Sequence, residues 1–362
     1  LMLLHEYLEN GADKNPNFPF SEFEGNSLSY QEANLLSNQL ANKLVSEGLE
    51  VGDRFAFLAK NCTEMAIMYY AASKVGAVPV PLNYRLADQE WAYIINDSEA
   101  KLIIVKGNEY SDRINQISSE LKNVKKYISI SLDDSIEKFQ DFYDWLSDSS
   151  NEKPTLKIHE NDDVYQMYTS GTTGHPKGAV LLQRNVAANI RQYLNSLTLP
   201  RPSRTLLVAP MYHAAAMINM CGCIAIGGTI VIQEDFIPQD VVDCLANEKI
   251  THTVLVPAMI QACLVSVPNV ANNEYNNLDQ IHYGASPIAP ETLKKAMDVF
   301  KCKFGQGFGM TETVAVICLM TPEEHIRALN EKPELLKSCG RPAIDTQVEI
   351  RDENDNPLPI GE

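Results

Sequence analysis

At 362 residues and 45% hydrophobic, the chain can bury a large core, and its length suggests two or three domain-sized units. Its 30 Lys and Arg against 47 Asp and Glu give a formal charge of −17, with no basic cluster or interleaved aromatic stripe, which argues against a nucleic-acid partner. The 8 cysteines are scattered through mostly apolar segments without paired CxxC spacings, the pattern of reduced core thiols in a cytoplasmic protein.

The opening "LMLLHEYLENG" has too short an apolar run and no basic start for a signal peptide. Ser29 and Glu32 have the spacing of a capping box and predict a helix reaching about Glu47. Strand 54–59, helix 63–75, strand 77–82, helix 88–97 and strand 101–105 follow. Residues 131–163 hold 10 acids against 3 lysines, and "SDSSNEKP" (147–154) inside them reads as a linker. A boundary is expected near residue 155.

Beyond it, "VYQMY" (164–168) reads as a strand, residues 179–182 as a second one, and a helix begins near Asn185, with Val186, Ile190, Leu194 and Leu197 at helical spacing. Strand 205–209 comes next. The charge-free stretch Ala214–Gln233 is about long enough to cross a bilayer, but Asn219, Gly222, Gly227, Gly228 and Thr229 interrupt it. It is expected to be a buried helix, a glycine break and a buried strand, with Cys221 and Cys223 as core packing rather than half of a metal site. Helix 239–249, strand 252–257, helix 290–300 and strand 302–308 complete the pattern. The tail "TQVEIRDENDNPLPIGE" (346–362) alternates like an exposed strand and a turn. Alternating strands and helices predict an α/β fold with largely parallel sheets. The expected units are a first βα half (1–155), a second (156–335) and the start of a β-rich portion (336–362).

The segment most charged with chemical meaning is "YTSGTTGHPKGAV" (168–180). It lacks the spacing of a Walker A loop, because Pro176 falls where a glycine is needed and Gly178 follows Lys177 where a hydroxyl belongs. It still offers hydroxyls from Thr169, Ser170, Thr172 and Thr173, glycines 171, 174 and 178 to turn backbone N–H groups toward an anion, and the compact charge of Lys177. The order strand, loop, strand, helix makes these groups, not a helix dipole, the anion anchor.

The string resembles the nucleotide-binding signature of the adenylate-forming superfamily of acyl-CoA synthetases, aryl-CoA ligases, luciferases and adenylation domains. "PMYHAAAM" (210–217), "YGASPI" (283–288), "QGFGMTET" (306–313) and "GRPAIDTQVEI" (340–350) resemble successive signatures of that superfamily in the same order. Residues 78–105, "VPVPLNYRLADQEWAYIINDSEAKLIIV", resemble its acyl- and aryl-CoA ligase branch. The resemblance implies two packed, largely parallel βα sheets with a small C-terminal β portion. It implies a ligase that joins a carboxylic acid to the α-phosphate of ATP, releases pyrophosphate, and passes the acyl group to CoA.

Carried over by position, Thr169, Ser170, Gly171, Thr172, Thr173, Gly174 and Lys177 would hold the departing phosphates. Thr311 would contact the α-phosphate, and Glu312 with Thr169 would place Mg²⁺. Gly284, Ala285, Ser286 and Pro287 would lie against adenine, Phe308 would supply an aromatic face on the other side, and Gln306, Gly307, Gly309 and Met310 would also belong to the nucleotide site. His213 would stand near the carboxylate and the thiol entrance, and Ala214 to Met217 with Met310 could line an acyl pocket or be ordinary core. No Asp follows His213, which argues against an amino-acid substrate. The ribose-holding Asp segment, the hinge and the C-terminal lysine of the superfamily have no candidate, so a chain without the mobile cap and with weak turnover is expected. A non-catalytic nucleotide- or acyl-adenylate-binding module and an acyl-AMP ligase loading a carrier protein remain alternatives. A homodimer stays open.

Overall fold

The computed structural model describes residues 1–130, 136–170 and 174–362. The chain opens with elements that its sequence pattern does not announce: helix α1 (Leu4–Lys14) and a hairpin of β1 (Pro19–Phe23) and β2 (Asn26–Ser29). Helix α2 (Tyr30–Ser46) starts at the expected box, the Ser29 hydroxyl accepting from the Glu32 N–H at 3.1 Å and the Glu32 carboxylate from the Ser29 N–H at 2.7 Å.

A regular alternation follows: β3 (Arg54–Leu58), α3 (Thr63–Val75), β4 (Val78–Leu82), α4 (Asp88–Asp97), β5 (Leu102–Lys106), α5 (Asn108–Ile117), β6 (Lys126–Ile130), β7 (Phe139–Asp141) and α6 (Phe142–Leu146). Among the described residues these strands form a parallel sheet in the order β4-β3-β5-β6-β7. Helix α3 is buried on every side from Glu64 to Val75, as an apolar sequence without a polar face requires. The expected linker is strapped to α2: Asn38 donates to the Asn151 carbonyl at 3.0 Å, and Asn42 to those of Ser150 and Glu152 at 2.9 and 2.8 Å.

Next come the antiparallel pair β8 (Asp163–Thr169) and β9 (Lys177–Leu182), then α7 (Gln183–Ser196). The helix begins before Asn185 because that side chain is a cap inside its first turn, accepting from the Leu182 N–H at 2.9 Å. Strand β8 runs beside β4, where Arg54 reaches Gln166 at 2.9 Å and Asp163 at 2.7 Å.

The second series is β10 (Arg204–Leu207), α8 (Ala214–Ala225), β11 (Thr229–Ile232), α9 (Pro238–Asn247), β12 (His252–Val254), α10 (Pro257–Ser266), β13 (Gln280–Gly284), α11 (Pro290–Phe300), β14 (Lys303–Phe308), β15 (Cys318–Met320), α12 (Pro322–Asn330) and β16 (Arg341–Pro342). Its sheet has the order β16-β15-β14-β13-β12-β10-β11-β1-β2, parallel from β14 through β1 and antiparallel at both edges. β1 and β2 thus join the larger sheet although they precede the boundary expected near residue 155. Cys221 and Cys223 are buried in the core, as α8, its glycine break and β11 were expected to arrange.

Alternation along the strands assigns the layers. Leu207, Ile230 and Ile232 face a core that includes α3 and α8, whereas Leu206 and Val231 face one built with α9, α10 and α11. Phe57 and Ile104 of the smaller sheet enter the first core, and Leu58 and Val105 pack instead toward α4 and α5. The layers therefore run helix, sheet, helix, sheet, helix. Residues 346–350 depart from the expectation of a strand. No strand among the described residues pairs with them, and Val348 and Ile350 are exposed. A bridge from Arg351 to Pro357 closes a turn held by the Asp352 carboxylate, which accepts from the N–H groups of Asn354 and Asn356.

Candidate nucleotide and acyl site

The hairpin of β8 and β9 sets the phosphate-loop candidates. Thr169 and Lys177 are register partners, so the strands present both at the root of the turn; Ser170, Gly174 and Lys177 are exposed. Gly171, Thr172 and Thr173 lie outside the described residues. Gly174 has φ +114°, which a side chain rarely tolerates. Gly178 differs from its expected role: it lies in β9, where a Cβ would strike the Gln166 amide and the Tyr168 ring, so its small size serves the hairpin. Two contacts tie the hairpin to α4. The Tyr168 hydroxyl donates to the Asp97 carboxylate at 2.6 Å, and His175 stacks on Tyr93 with ring centroids 4.4 Å apart and planes 13° from parallel.

The ends of β13 and β14 form the second part. Tyr283 pairs with Gln306 and Gly284 with Gly307. A methyl at Gly284 would overlap the Gly307 carbonyl oxygen, so only glycine permits this approach. Beyond it, Ala285 turns at φ 68° and exposes Ser286 and Pro287. Phe308 is 48% exposed, which separates it from the core aromatics. A cavity of about 360 Å³ lies between these segments, with Leu336 to Cys339 on its far wall. No sequence motif marks that wall.

A narrower apolar cavity of about 90 Å³ adjoins the first and shares Ala285, Gln306, Gly307 and Gly309 with it. His213, the N-cap residue of α8, and Met310 stand at its exposed mouth, and Thr311 lines it. His213 is exposed as a residue, yet the protein packed around its imidazole disfavours the charged form and holds its pKa below the ordinary value. Ala214, Ala215 and Ile218 face this cavity, whereas Ala216 and Met217 are ordinary core, so the stretch divides between the two alternatives its sequence left open. The helical period explains the split: residues 214, 215 and 218 share one face of α8. Tyr193 and His282 also line it, and neither was singled out by the motifs.

Between the cavities and the hairpin lies the turn Thr311–Thr313, against which β9 packs. Thr313 ties it to Met310, the hydroxyl accepting from the Met310 N–H at 3.2 Å and donating to its carbonyl at 2.9 Å. The turn closes through Val314 at φ 69° and ψ −66°, with the Ala315 N–H donating to the Thr313 carbonyl at 2.9 Å. This is a γ-turn of the uncommon positive-φ kind, strained for a β-branched residue. A methyl at Gly309 would overlap the Ala315 carbonyl, so the return path needs glycine there. Glu312 is exposed, and its carboxylate enters no hydrogen bond or ion pair among the described residues.

His213, Val254 and Val256 place the apolar cavity where β10 and β12, adjacent parallel strands, end. Their following helices, α8 and α10, leave to opposite faces of the sheet. Such a switch point opens a crevice at the carboxyl ends of strands. Fold and cavities thus define an α/β protein of the class that binds small ligands at its strand ends. The chain belongs to the AMP-binding enzyme family, which it matches over residues 8–362.

Similar proteins include the fatty acid–[acyl-carrier-protein] ligase ScoC of Streptomyces coeruleorubidus, 29% identical over 97% of this chain and 65% of its own length. The feruloyl-CoA synthase of an Amycolatopsis species is 29% identical over 93% of this chain and 64% of its own length. The chain spans about two thirds of the length of these relatives or slightly less. Among solved structures, the inhibitor-bound N-terminal domain of FACL13 from Mycobacterium tuberculosis aligns with a TM-score of 0.88 and 25% identity, covering 99% of this chain and 86% of that one. Among the described residues no helix is long and apolar enough to cross a membrane.

Proposed function

We propose that the chain carries the nucleotide and acid sites of a carboxylate-activating ligase. The observation that carries this reading is the pair of cavities with a common wall, one apolar and narrow, the other bordered by Phe308 and the Ser286-Pro287 turn. An acyl-adenylate has the same division, an acyl tail and a nucleotide joined at one phosphate.

In this reading the carboxylate oxygen attacks the α-phosphorus of ATP and pyrophosphate leaves. The sulfur of CoA then attacks the acyl carbon, AMP leaves with the bonding pair, and the thiol proton is lost to solvent. Anion meets anion in the first step, so hydrogen-bond donors and cations around the phosphates supply much of the acceleration. Lys177, with the hydroxyls and amides from Thr169 to Gly174, holds the departing phosphates, and Thr311 holds the α-phosphate. Adenine lies between Gly284 to Pro287 and the residues from Gln306 to Met310. His213, neutral above its lowered pKa, sits where the carboxylate enters and orients it by hydrogen bonding rather than by charge.

The uncommitted Glu312 carboxylate and the Thr169 hydroxyl suit Mg²⁺, which binds through one or two carboxylates and completes its shell with phosphate oxygens and water. When bound, the ion neutralises phosphate charge. The 8 free cysteines suit a cytoplasmic protein. Titration calorimetry with ATP and Mg²⁺ tests the reading: saturable binding that Lys177→Ala weakens about tenfold or more supports it. No binding at millimolar ATP refutes it.

The resemblance to ScoC favours a second acceptor, the thiol of a carrier protein. Offering the natural full-length protein CoA and a phosphopantetheinyl carrier side by side distinguishes the two thioesters by mass.

A further inference from the structure

The apolar cavity is open at one end and closed at the other. His213, Gly309 and Met310 at its mouth are exposed, whereas Tyr193, Leu197 and His282 on its inner wall are 3%, 3% and 4% exposed. The closure is built rather than incidental. Tyr193 from α7 meets His282 from β13 edge to face, with planes at 88°, and its hydroxyl lies 3.1 Å from His282 Nδ1. The other ring nitrogen, Nε2, lies 2.8 Å from Gln280 Oε1, while the Gln280 amide nitrogen donates to the Thr198 carbonyl and to Asp279. Gln280 Oε1 must therefore accept, which puts the proton on Nε2 and makes Nδ1 the acceptor for the Tyr193 O–H. Gly222 of α8 leaves the space that the Tyr193 ring fills, since a methyl there would strike the ring.

Two properties of the occupant follow. A cavity of about 150 Å³ holds benzene, so one of about 90 Å³ admits a tail of about four heavy atoms. No Lys, Arg, Asp or Glu lines the cavity among the described residues, and burial, with His252 beside it, pushes His282 down to about 3, so it stays neutral. A tail ending in a carboxylate or an ammonium would have no counter-charge.

We infer that Tyr193, locked by His282, is the length-setting stop of the acid pocket, and that the pocket takes a short, uncharged carboxylic acid of about four to six carbons. This rests on reading the cavity as the acid site. Tyr193 acts on specificity and touches only the far end of the tail.

The test is pyrophosphate release by the natural full-length protein across straight-chain acids from acetate to palmitate, with a dicarboxylate of matching length. The expected kcat/KM rises about fourfold per methylene, peaks near pentanoate, and falls by about tenfold or more at octanoate. The dicarboxylate should react about a hundredfold more slowly than its uncharged counterpart. Tyr193→Ala should move the optimum up by about four carbons, while Tyr193→Phe, which keeps the volume, should leave it in place. If the alanine variant does not fold, Tyr193→Val should give a smaller shift in the same direction. A wild-type optimum at octanoate or longer overturns the inference, as does an unchanged profile in a folded small-residue variant. Absence of release with every acid tested would instead defeat the proposed function.

Discussion

Lowering the pH from 7.5 to 5.5 should destabilise the protein by about 4 kcal/mol through three imidazoles, His5, His252 and His282. They are 8%, 0% and 4% exposed, and burial lowers their pKa from 6.5 to about 4, 3 and 3. Below 6.5 the unfolded chain takes up a proton at each site that the folded chain does not. The stability these sites contribute is therefore complete above 6.5 and is lost as the pH falls toward the folded values. At pH 5.5 the unfolded imidazole is about nine-tenths protonated, which costs a little over 1 kcal/mol per site. Against a total stability of about 5–15 kcal/mol this is a large share. Urea unfolding at both pH values measures it, with His252→Asn as the control because the buried His252 Nε2 has no partner. The variant should lose about 1 kcal/mol less than wild type over the interval. Equal losses in the two proteins would show that the imidazole takes up its proton inside the fold and would refute the reasoning.

Three further outcomes follow from the site. Glu312→Ala should weaken Mg²⁺-dependent nucleotide binding about tenfold while changing the unfolding free energy by no more than about 0.5 kcal/mol, because the side chain is exposed; equal losses would mark it as structural. Gly309→Ala should lower stability by about 2 kcal/mol or more in thermal unfolding, since its methyl must displace the Ala315 carbonyl. Tyr93→Ala removes a stacking contact of about 1 kcal/mol on His175 and should raise the KM for ATP several-fold with the KM for the acid unchanged; equal changes in both would place its effect elsewhere.

Much of the fold could be read directly because its βα units carry strong periodic patterns. Helices 63–75, 88–97 and 290–300 fall where their residues place them. The hairpin β1–β2 was not legible: its pairing with β11 joins residues about two hundred apart, and local pattern holds no trace of such a partner. At the site, the motifs brought forward Gly284, Phe308 and Thr311, whose backbone constraints and exposure set them apart from ordinary core. Tyr193 and His282 are not legible in the sequence, because a Tyr on an apolar helix face and a His in a strand look like buried packing. Only tertiary structure shows that they meet across a cavity. Gly178 misleads for the opposite reason, since a glycine beside a lysine suggests an anion nest, whereas the ring of Tyr168 lies against it.

The partition made by Ala285, Gln306, Gly307 and Gly309 belongs to both cavities at once. If the acid and the nucleotide fill these cavities as proposed, this wall is the path by which one would act on the other. Reciprocity then fixes a relation between separate titrations: the factor by which a bound acid tightens the nucleotide must equal the factor by which the nucleotide tightens the acid.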